Sequence, residues 1–293
     1  MSLVEMFCNI DDFCACFMPN HAKRRVSDGT TRQRRRTGEL CMSEIMTILV
    51  GFHQSHYRNF KAYYLEHVGR FQRTEFPQLV SYSRFVELMP AACMPLCAYL
   101  RSQFGECSGI SFIDSTPLAV CRNPRIYQHR VFAGLARRGK TSTGWFFGFK
   151  LHLVFNDFGE LLDFMLTPGN AHDLKSLPRL AQRLFGKLFG DKGYLSAAVF
   201  KSLFETFNVQ FITKLKRNMK NKLMPVLDKV LLRRRAIIET IIDPLKNISQ
   251  VEHSRHRRPA NFIVNLVSGM IAYCLQLKKP SLQQDAGLTL QAA

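Results

Sequence analysis

Two short apolar runs, each ending in an aspartate, place the strongest constraint on what this chain can fold into. Residues 110–114 and 187–191 have the length and composition of buried strands, and they end at Asp114 and Asp191. Between them, residues 147–155 alternate in hydrophobicity along the chain, and 156–160 form a hairpin turn before a partner strand at 161–167. The pattern predicts a sheet built from separate parts of the chain.

Helical patterns alternate with the later strands. Helices are predicted at 173–185, 195–207 and 233–246, and a fifth strand at 209–213. A right-handed crossover then places the strand at 187–191 parallel to the strand at 110–114. We predict an α/β fold with a mixed five-stranded sheet flanked by helices. Its sheet domain spans 109–250, after a mostly helical domain at 1–108 and before a basic and apolar C-terminal helical segment at 251–293 with a frayed tail.

The predicted helix at 233–246 separates its charged residues from its apolar residues. At about 100° per residue, the polar face carries Arg235, Glu239, Asp243 and Lys246. The opposite face carries Ile238, Ile241 and Leu245. Two carboxylates between two cations suit a metal or a phosphate, and the alternative is an ordinary amphipathic helix with ion pairs between successive turns.

Three carboxylates are expected to meet at one edge of the sheet. Asp114 and Asp191 end neighbouring parallel strands, and ligand chemistry in open α/β sheets gathers at such ends. The helix at 233–246 then turns Glu239 toward the same edge. Carboxylate oxygens suit Mg²⁺, and two such ions about 3.5–4 Å apart serve both the attacking and the leaving oxygen of a phosphodiester. Magnesium is therefore the predicted cofactor, and Mn²⁺ is an expected substitute.

The charge of the chain favours a polyanionic partner. Lys and Arg number 41 against 22 Asp and Glu, which leaves a net charge of +19. Nucleic acid is the predicted partner, with an anionic membrane surface as the competitor. The sequence contains neither a long apolar stretch nor a signal peptide, and its nine cysteines form no C-x-x-C pair, so we expect a cytoplasmic protein with reduced thiols.

Three motifs together resemble those of a known enzyme family. They are Phe112-Ile113-Asp114-Ser115-Thr116, Phe189-Gly190-Asp191-Lys192-Gly193-Tyr194 and Arg235-x3-Glu239-x6-Lys246. With them the chain resembles the DDE transposases of bacterial insertion sequences, which have an RNase H-like catalytic core. The last motif follows the family signature Y-x2-R-x3-E-x6-K, except that Leu232 replaces the tyrosine. Residues 144–152, 167–173 and 248–253 are similar to the insertion-sequence-982 group, and the resemblance covers about 43–282.

The resemblance implies a role for each matched residue. Asp114, Asp191 and Glu239 would be the catalytic residues and hold two metal ions, while Arg235, Lys246 and Lys192 would contact DNA. The implied reaction is hydrolytic cleavage at each element end, followed by attack of the freed 3′-hydroxyl on target DNA. The implied partners are double-stranded DNA, as terminal inverted repeats and target, and further copies of the chain in a dimer or larger assembly. The basic character of two other segments adds DNA-binding candidates, which are Arg137, Arg138, Lys140, Arg255, Arg257 and Arg258.

Several interpretations stay open at this point. An RNase H-like nuclease or junction resolvase would cut without strand transfer, and an inactive remnant would only bind DNA. Sequence-specific end binding by residues 1–108 separates the transposase from the nuclease. Trp145 is interpreted as a core residue with base stacking as the alternative, and His172 as a helix N-cap. Lys150 and His152 share the polar face of their strand, which is a candidate for contact with DNA.

Overall fold

The computed structural model describes residues 1–27, 40–141, 144–214, 223–247 and 256–282, without the side chains of 21–27 and of residue 247. Most of the basic segment at 23–36 lies outside these ranges, as do Arg255 and the motif at 248–253. The chain divides into two compact units. A helical unit comprises Met1–Gln103 and Leu245–Leu277, and a sheet unit comprises Phe104–Pro244 and the residues from Lys278 onward.

The described residues form six strands and eleven α-helices. The strands are β1 (Ile110–Cys121), β2 (Arg137–Thr141), β3 (Gly144–Asn156), β4 (Leu161–Pro168), β5 (Gly186–Gly190) and β6 (Val209–Thr213). The α-helices are α1 (Leu3–Ser27), α2 (Met42–Gln54), α3 (Phe60–Ala62), α4 (Gly69–Phe71), α5 (Tyr82–Leu88), α6 (Cys93–Ser102), α7 (Leu177–Leu180), α8 (Ala197–Phe207), α9 (Val226–Arg234), α10 (Ile237–Asn247) and α11 (Pro259–Cys274).

The helical unit is organised around α2 and α11. Helix α2 begins with a capping box, in which the thiol of Cys41 accepts from the Glu44 amide and the Glu44 carboxylate accepts from the Cys41 amide. Helix α11 packs against α2 and α6, and its residues are buried from Val264 to Tyr273. The apolar helix predicted near the end of the chain therefore contributes to the core of the unit that contains the N-terminus.

A mixed sheet forms the centre of the sheet unit, as predicted. The strand order is β2-β3-β1-β5-β6, and β4 also pairs with β3. Strands β5 and β6 run parallel to β1, whereas β3 runs antiparallel to β1, β2 and β4. Apart from β2, this is the five-stranded order of the predicted RNase H-like fold. Helices α7 and α8 contribute Leu177, Leu180 and Leu203 to the core on one face of the sheet.

The predicted strand number of five is wrong because β2 was not recognised. This strand pairs with the Gly144–Gly148 end of β3, next to the part of β3 that pairs with β4. Its sequence, Arg-Arg-Gly-Lys-Thr, has no apolar alternation, so it gives none of the signal by which strands are read from sequence. The segment predicted to be irregular therefore contains a strand.

Two predicted helices are also shorter or broken. The helix predicted at 173–185 is instead two short 3-10 turns, Asp173–Lys175 and Ala181–Arg183, on either side of α7. Pro178 explains the early break, because proline has no N–H to donate back to the preceding turn and is tolerated only at a helix start.

The helix predicted at 233–246 is interrupted at Arg235 and Ala236. Here the amides of Ile238 and Glu239 donate to the carbonyls three residues earlier, which tightens the turn between α9 and α10. Arg235 consequently leaves the regular 100° progression of the helix. Its side chain is held by ion pairs with two aspartates of the sheet, described below. The predicted apolar face survives, since Ile238, Ile241 and Leu245 are buried.

Within the described ranges, no helix has the length and apolarity that crossing a membrane requires.

Replacing Ile241 by alanine should destabilise the chain through α10. Its side chain is fully buried, so the substitution removes apolar contacts and leaves a cavity. We expect Ile241→Ala to lower the free energy of unfolding by about 2–5 kcal/mol in urea titrations followed by circular dichroism. The exposed neighbour Thr240 provides the control, and Thr240→Ala should change stability by less than about 0.5 kcal/mol. Equal effects of the two substitutions would contradict the burial of this face.

Candidate active site

Two paired phenylalanines place Asp114 and Asp191 on one face of the sheet. Phe112 of β1 and Phe189 of β5 are partners in the parallel ladder, and their rings stack with centroids 5.4 Å apart. Each aspartate follows its phenylalanine by two residues in extended backbone, and side chains two apart point to the same face. The predicted meeting of the two acids therefore follows directly from strand register.

Arg235 lies between these two carboxylates. Its Nη1 is 3.7 Å from Oδ1 of Asp114, and its Nη2 is 3.6 Å from Oδ1 of Asp191. The Arg235 side chain is 16% exposed, the Asp114 side chain 22% and the Asp191 side chain 54%. The buried Nη1 has no hydrogen-bond partner, because both carboxylates stop short of hydrogen-bonding distance. The guanidinium thus offsets negative charge and keeps donor capacity.

The position of Asp114 raises the pKa of its carboxyl group to about 6. Burial is the main cause, because removal from water disfavours the charged form. The positive charge of Arg235 acts in the opposite direction, while the charges of Asp191 and Glu239 raise the pKa further. Asp114 is therefore a desolvated carboxyl group whose ionisation is also opposed by the charges of Asp191 and Glu239.

Glu239 joins the site through its charge. It is exposed in the first turn of α10, and its effect on the pKa of Asp114 shows that the two groups are within electrostatic range. Across the described residues, the His, Cys, Asp and Glu side chains form no group of three that is close enough to hold a metal ion as arranged. The donor chemistry nevertheless suits Mg²⁺, since all three side chains offer carboxylate oxygens to a hard cation.

A buried polar layer supports the site from the other face of the sheet. His152 of β3 lies 2.9 Å from the Thr167 hydroxyl, 3.3 Å from the Ser176 hydroxyl and 3.5 Å from the Tyr194 hydroxyl. Tyr194 is also hydrogen-bonded to Ser115, the residue after Asp114. Burial lowers the pKa of His152 to about 4, so the imidazole is neutral at neutral pH. The layer fixes the turn after Asp191 against β1.

The sequence left contact with DNA open for Lys150 and His152, but the structure places both side chains in other environments. His152 is fully buried, so this position cannot contact DNA. Lys150 forms an ion pair with Asp173 at 3.0 Å and donates to the Ala171 carbonyl. The prediction for His172 is confirmed, because its ring nitrogen accepts from the Leu174 amide at the start of a 3-10 turn.

The remaining predicted DNA contacts are distributed over both units. Lys192 is exposed beside Asp191, and Arg137, Arg138 and Lys140 are exposed along β2. In the helical unit, Lys246 lies in the last turn of α10, and the exposed Arg257 and Arg258 precede α11. The structure thus brings Asp114 and Asp191 together on Arg235, with Glu239 within electrostatic range of Asp114 and Lys192 next to Asp191 in the chain.

The predicted environment of Trp145 is wrong. The favoured interpretation was a core residue, but the side chain is 52% exposed at the start of β3. Two cations lie over its ring, with Arg138 at 5.0 Å and Lys140 at 5.6 Å from the centroid. The missing signal was β2, because the cross-strand neighbours of Trp145 are known only once that strand is placed.

The mixed sheet, with Asp114 on β1 and Asp191 directly after the parallel strand β5, has the arrangement expected of an RNase H-like nucleic-acid enzyme. The comparison with protein families assigns the chain more narrowly. A family model described as "Transposase DDE domain" matches residues 104–259, which is more than half of the 293-residue chain. The chain therefore belongs to this family of DNA transposases.

The other comparisons add little to this assignment. The search of curated proteins finds no match. Among solved structures, a cryo-EM structure of the piggyBac transposase synaptic complex with hairpin DNA aligns with a TM-score of 0.45 and 10% identity, over 92% of this chain and 72% of that chain. Neither the fold described above nor the function proposed below depends on this similarity.

Replacing Asp114 by asparagine should change how stability depends on pH. The pKa of Asp114 is about 6 when folded, against 3.8 for an ordinary aspartate, so the folded chain retains a proton that the unfolded chain releases. This contribution to stability is present at low pH and is lost as the pH rises through about 6. Relative to wild type, Asp114→Asn should therefore gain stability on the order of 2 kcal/mol between about pH 4 and about pH 7.

Urea unfolding of both proteins in EDTA, at a series of pH values, measures this difference. Because other titrating groups are common to the two proteins, their contributions cancel in the comparison. A difference that stays flat across the series would mean that Asp114 is not desolvated in the folded chain.

Proposed function

We propose that the chain cleaves phosphodiester bonds at the ends of an insertion sequence and transfers the freed 3′-hydroxyl into target DNA. The observation that carries the proposal is the convergence of Asp114 and Asp191 on Arg235, with Glu239 close enough to act on Asp114. Membership of the transposase family supports the same reaction class. In this proposal Asp114, Asp191 and Glu239 are the catalytic residues.

The same three carboxylates would hold the metal cofactor, two Mg²⁺ ions for which Mn²⁺ can substitute. When bound, such ions stabilise the charge on the attacking and the leaving oxygen of an in-line displacement. The exposed carboxylates of Asp191 and Glu239 are open to solvent, whereas Asp114 is recessed. A pKa of about 6 leaves Asp114 mostly ionised at neutral pH, as a metal ligand must be.

Arg235 has the chemistry to hold the phosphate being cut. A guanidinium has five N–H donors in a planar fork, and the ion pairs with Asp114 and Asp191 aim this fork at the space between the two acids. Lys192 is exposed beside Asp191 and adds a second positive charge. We propose that both side chains neutralise the phosphate near the element end, in agreement with the family motif that contains Arg235.

Basic residues outside the site would bind the flanking DNA. Phosphate contacts supply affinity without reading sequence, and a net charge of +19 supports many of them. We assign this role to the exposed residues of β2 and to the basic residues of the helical unit, namely Arg137, Arg138, Lys140, Lys246, Arg257 and Arg258, and also to Arg255. Recognition of the terminal inverted repeats belongs in this proposal to residues 1–108, and catalysis to 109–250.

The motifs further suggest the insertion-sequence-982 group of bacterial elements. Two element ends must be held together during transposition, so we propose a homodimer or larger assembly on DNA. The proposed location is the bacterial cytoplasm, at the nucleoid, where a DNA substrate would lie. These assignments rest on the motifs quoted above and on the charge of the chain.

The proposal is tested by cleavage of labelled duplex that carries the DNA flanking this gene. We expect nicks at the element boundary with Mg²⁺ or Mn²⁺, and none with EDTA. Asp191→Ala and Glu239→Ala should lower the cleavage rate by at least about 100-fold, equal to ~2.7 kcal/mol, while retaining DNA binding in an anisotropy assay. Asp243→Ala is the matched control, since it removes an exposed carboxylate one turn further along α10 and should leave cleavage intact.

The outcomes separate the competing functions. Nicked DNA that is also joined to an added target duplex supports the transposase, whereas nicking without joining supports a nuclease or resolvase. Binding without cleavage under any metal indicates an inactive DNA-binding protein. Cleavage that survives Glu239→Ala but not Asp243→Ala would move the third carboxylate to Asp243.

A further inference from the structure

The sheet extends well beyond the candidate active site as a three-stranded arm. Strand β1 pairs with β5 through Ile110, Ser111 and Phe112, and then continues past Asp114 to Cys121 alongside β3. The far end of β3 pairs with β2 on its other side. We call residues 115–121, 137–141 and 144–150 the β-arm. It projects beyond the last pair of β1 and β5, on the side of that pairing at which Asp114 lies.

The β-arm and the segment that connects β1 to β2 are rich in cations, one of which, Lys150, pairs with Asp173. Between Asp114 and Asp157 the sequence contains no aspartate or glutamate. The same interval contains seven cations, which are Arg122, Arg125, Arg130, Arg137, Arg138, Lys140 and Lys150. Such a surface attracts a polyanion, and the local charge is more one-sided than that of the chain as a whole.

Trp145 lies near the end of this arm on the face that carries Arg138 and Lys140. Lys140 is its direct partner across the strands, and Arg138 is two residues away on the same face. Both cations lie over the indole ring, and the Trp145 carbonyl accepts from the Asn123 side chain at 2.8 Å. The backbone is therefore fixed while half of the side chain faces solvent.

The connecting segment between β1 and β2 covers the neighbouring aromatics but not Trp145. The His129 ring packs against Phe147, and the Phe132 ring packs edge-on against Phe149, both on the face of β3 to which Trp145 belongs. Phe132 is buried by this packing. Trp145 is thus the next aromatic in the row and the one whose surface stays available, held in place by the strands and flanked by cations.

We propose that Trp145 stacks on an unpaired base of the DNA substrate, while Arg138 and Lys140 hold the adjacent phosphates. The inference rests on the proposed function, which makes DNA the substrate. Every base has a π-face, and an aromatic side chain beside cations is the arrangement by which proteins bind unpaired nucleotides. A fully paired duplex offers phosphates to the two cations but keeps its base faces stacked within the helix, so Trp145 distinguishes unpaired from paired DNA.

The geometry also limits where that base lies. Asp114 is the partner of Leu153 in the ladder between β1 and β3, and Trp145 precedes Leu153 by eight residues. At about 3.4 Å per residue the two positions are ~27 Å apart along β3. Along a straight path with a spacing of about 3.4 Å per nucleotide, this distance corresponds to roughly eight nucleotides from the bond that is cut.

Trp145 is the sole tryptophan of the sequence, so intrinsic fluorescence reports on this side chain alone. The full-length chain is titrated in Ca²⁺ with three probes: a paired duplex of the flanking DNA, the same duplex with a one-nucleotide bulge, and one of its single strands. Anisotropy of a label on the DNA gives the bound fraction. At equal bound fraction, we expect stronger fluorescence quenching by the bulged and single-stranded probes than by the paired duplex.

Substitutions then separate stacking from charge. Trp145→Ala should weaken binding of the bulged duplex roughly tenfold, equal to ~1.4 kcal/mol, and binding of the paired duplex less than about twofold. Trp145→Phe should retain most of the preference, because it keeps an aromatic face. Arg138→Ala combined with Lys140→Ala should weaken both probes by similar factors and reduce the salt dependence.

Phe158 provides the matched control at the opposite end of β3. It is an exposed aromatic in the β3–β4 turn, and Phe158→Ala should leave binding of all probes unchanged. The double variant Trp145→Phe with Phe158→Trp moves the fluorophore to that turn, where DNA should not quench it. Quenching of equal strength at both positions would mean that the signal is unspecific.

The inference and the proposed function fail in different ways. Equal quenching by paired and unpaired probes, or an equal loss of affinity for both in Trp145→Ala, overturns the stacking role even if cleavage is normal. Selective quenching in a chain that never cleaves DNA supports the stacking role and removes the transposase function. Absence of binding to all three probes overturns both.

Discussion

The parallel contact between β1 and β5 determines where the chemistry of this protein is located. Phe112 and Phe189 lie opposite each other and stack. Asp114 and Asp191 follow them by two residues, so the same register places the two aspartates side by side. A shift of one strand by a single residue would turn its aspartate to the opposite face. The apolar pair is therefore what brings two charged groups together, and burial of the rings offsets the repulsion between the acids.

Placing several carboxylates close together in a partly buried site is electrostatically unfavourable. Neighbouring residues reduce this unfavourable free energy. Arg235 reaches both aspartates from the break between α9 and α10, and its charge lowers a pKa that burial raises. On the opposite face of the sheet, neutral His152 and the Tyr194 hydroxyl satisfy one another without adding charge. The result is a site with an excess of carboxylate oxygens, which favours a divalent cation.

The sheet and the position of its acids could be predicted from the sequence, because both depend on local patterns and on strand-pairing rules. Apolar runs and the turn at Asn156 predicted β1, β3, β4 and β5, and the helix motif singled out Arg235 and Glu239. What escaped prediction depends on contacts between distant residues or on a single substitution in a pattern. Strand β2 is recognisable only through its partner, and the helix predicted around α7 is broken by Pro178. Trp145 stays half exposed because β2 covers its ring with two cations and not with an apolar layer.

The order of elements along the chain determines when the parts of each unit become available during synthesis. All strands of the sheet have been made once residue 213 leaves the ribosome, and α10 follows by residue 247. The helical unit, although it starts the chain, lacks α11 until residue 274, and α11 is the helix that α2 and α6 pack against. Residues 1–103 therefore lack the helix that covers α2 and α6 until after all six described strands of the sheet unit have been made, so an apolar surface of the segment made first stays uncovered for most of synthesis.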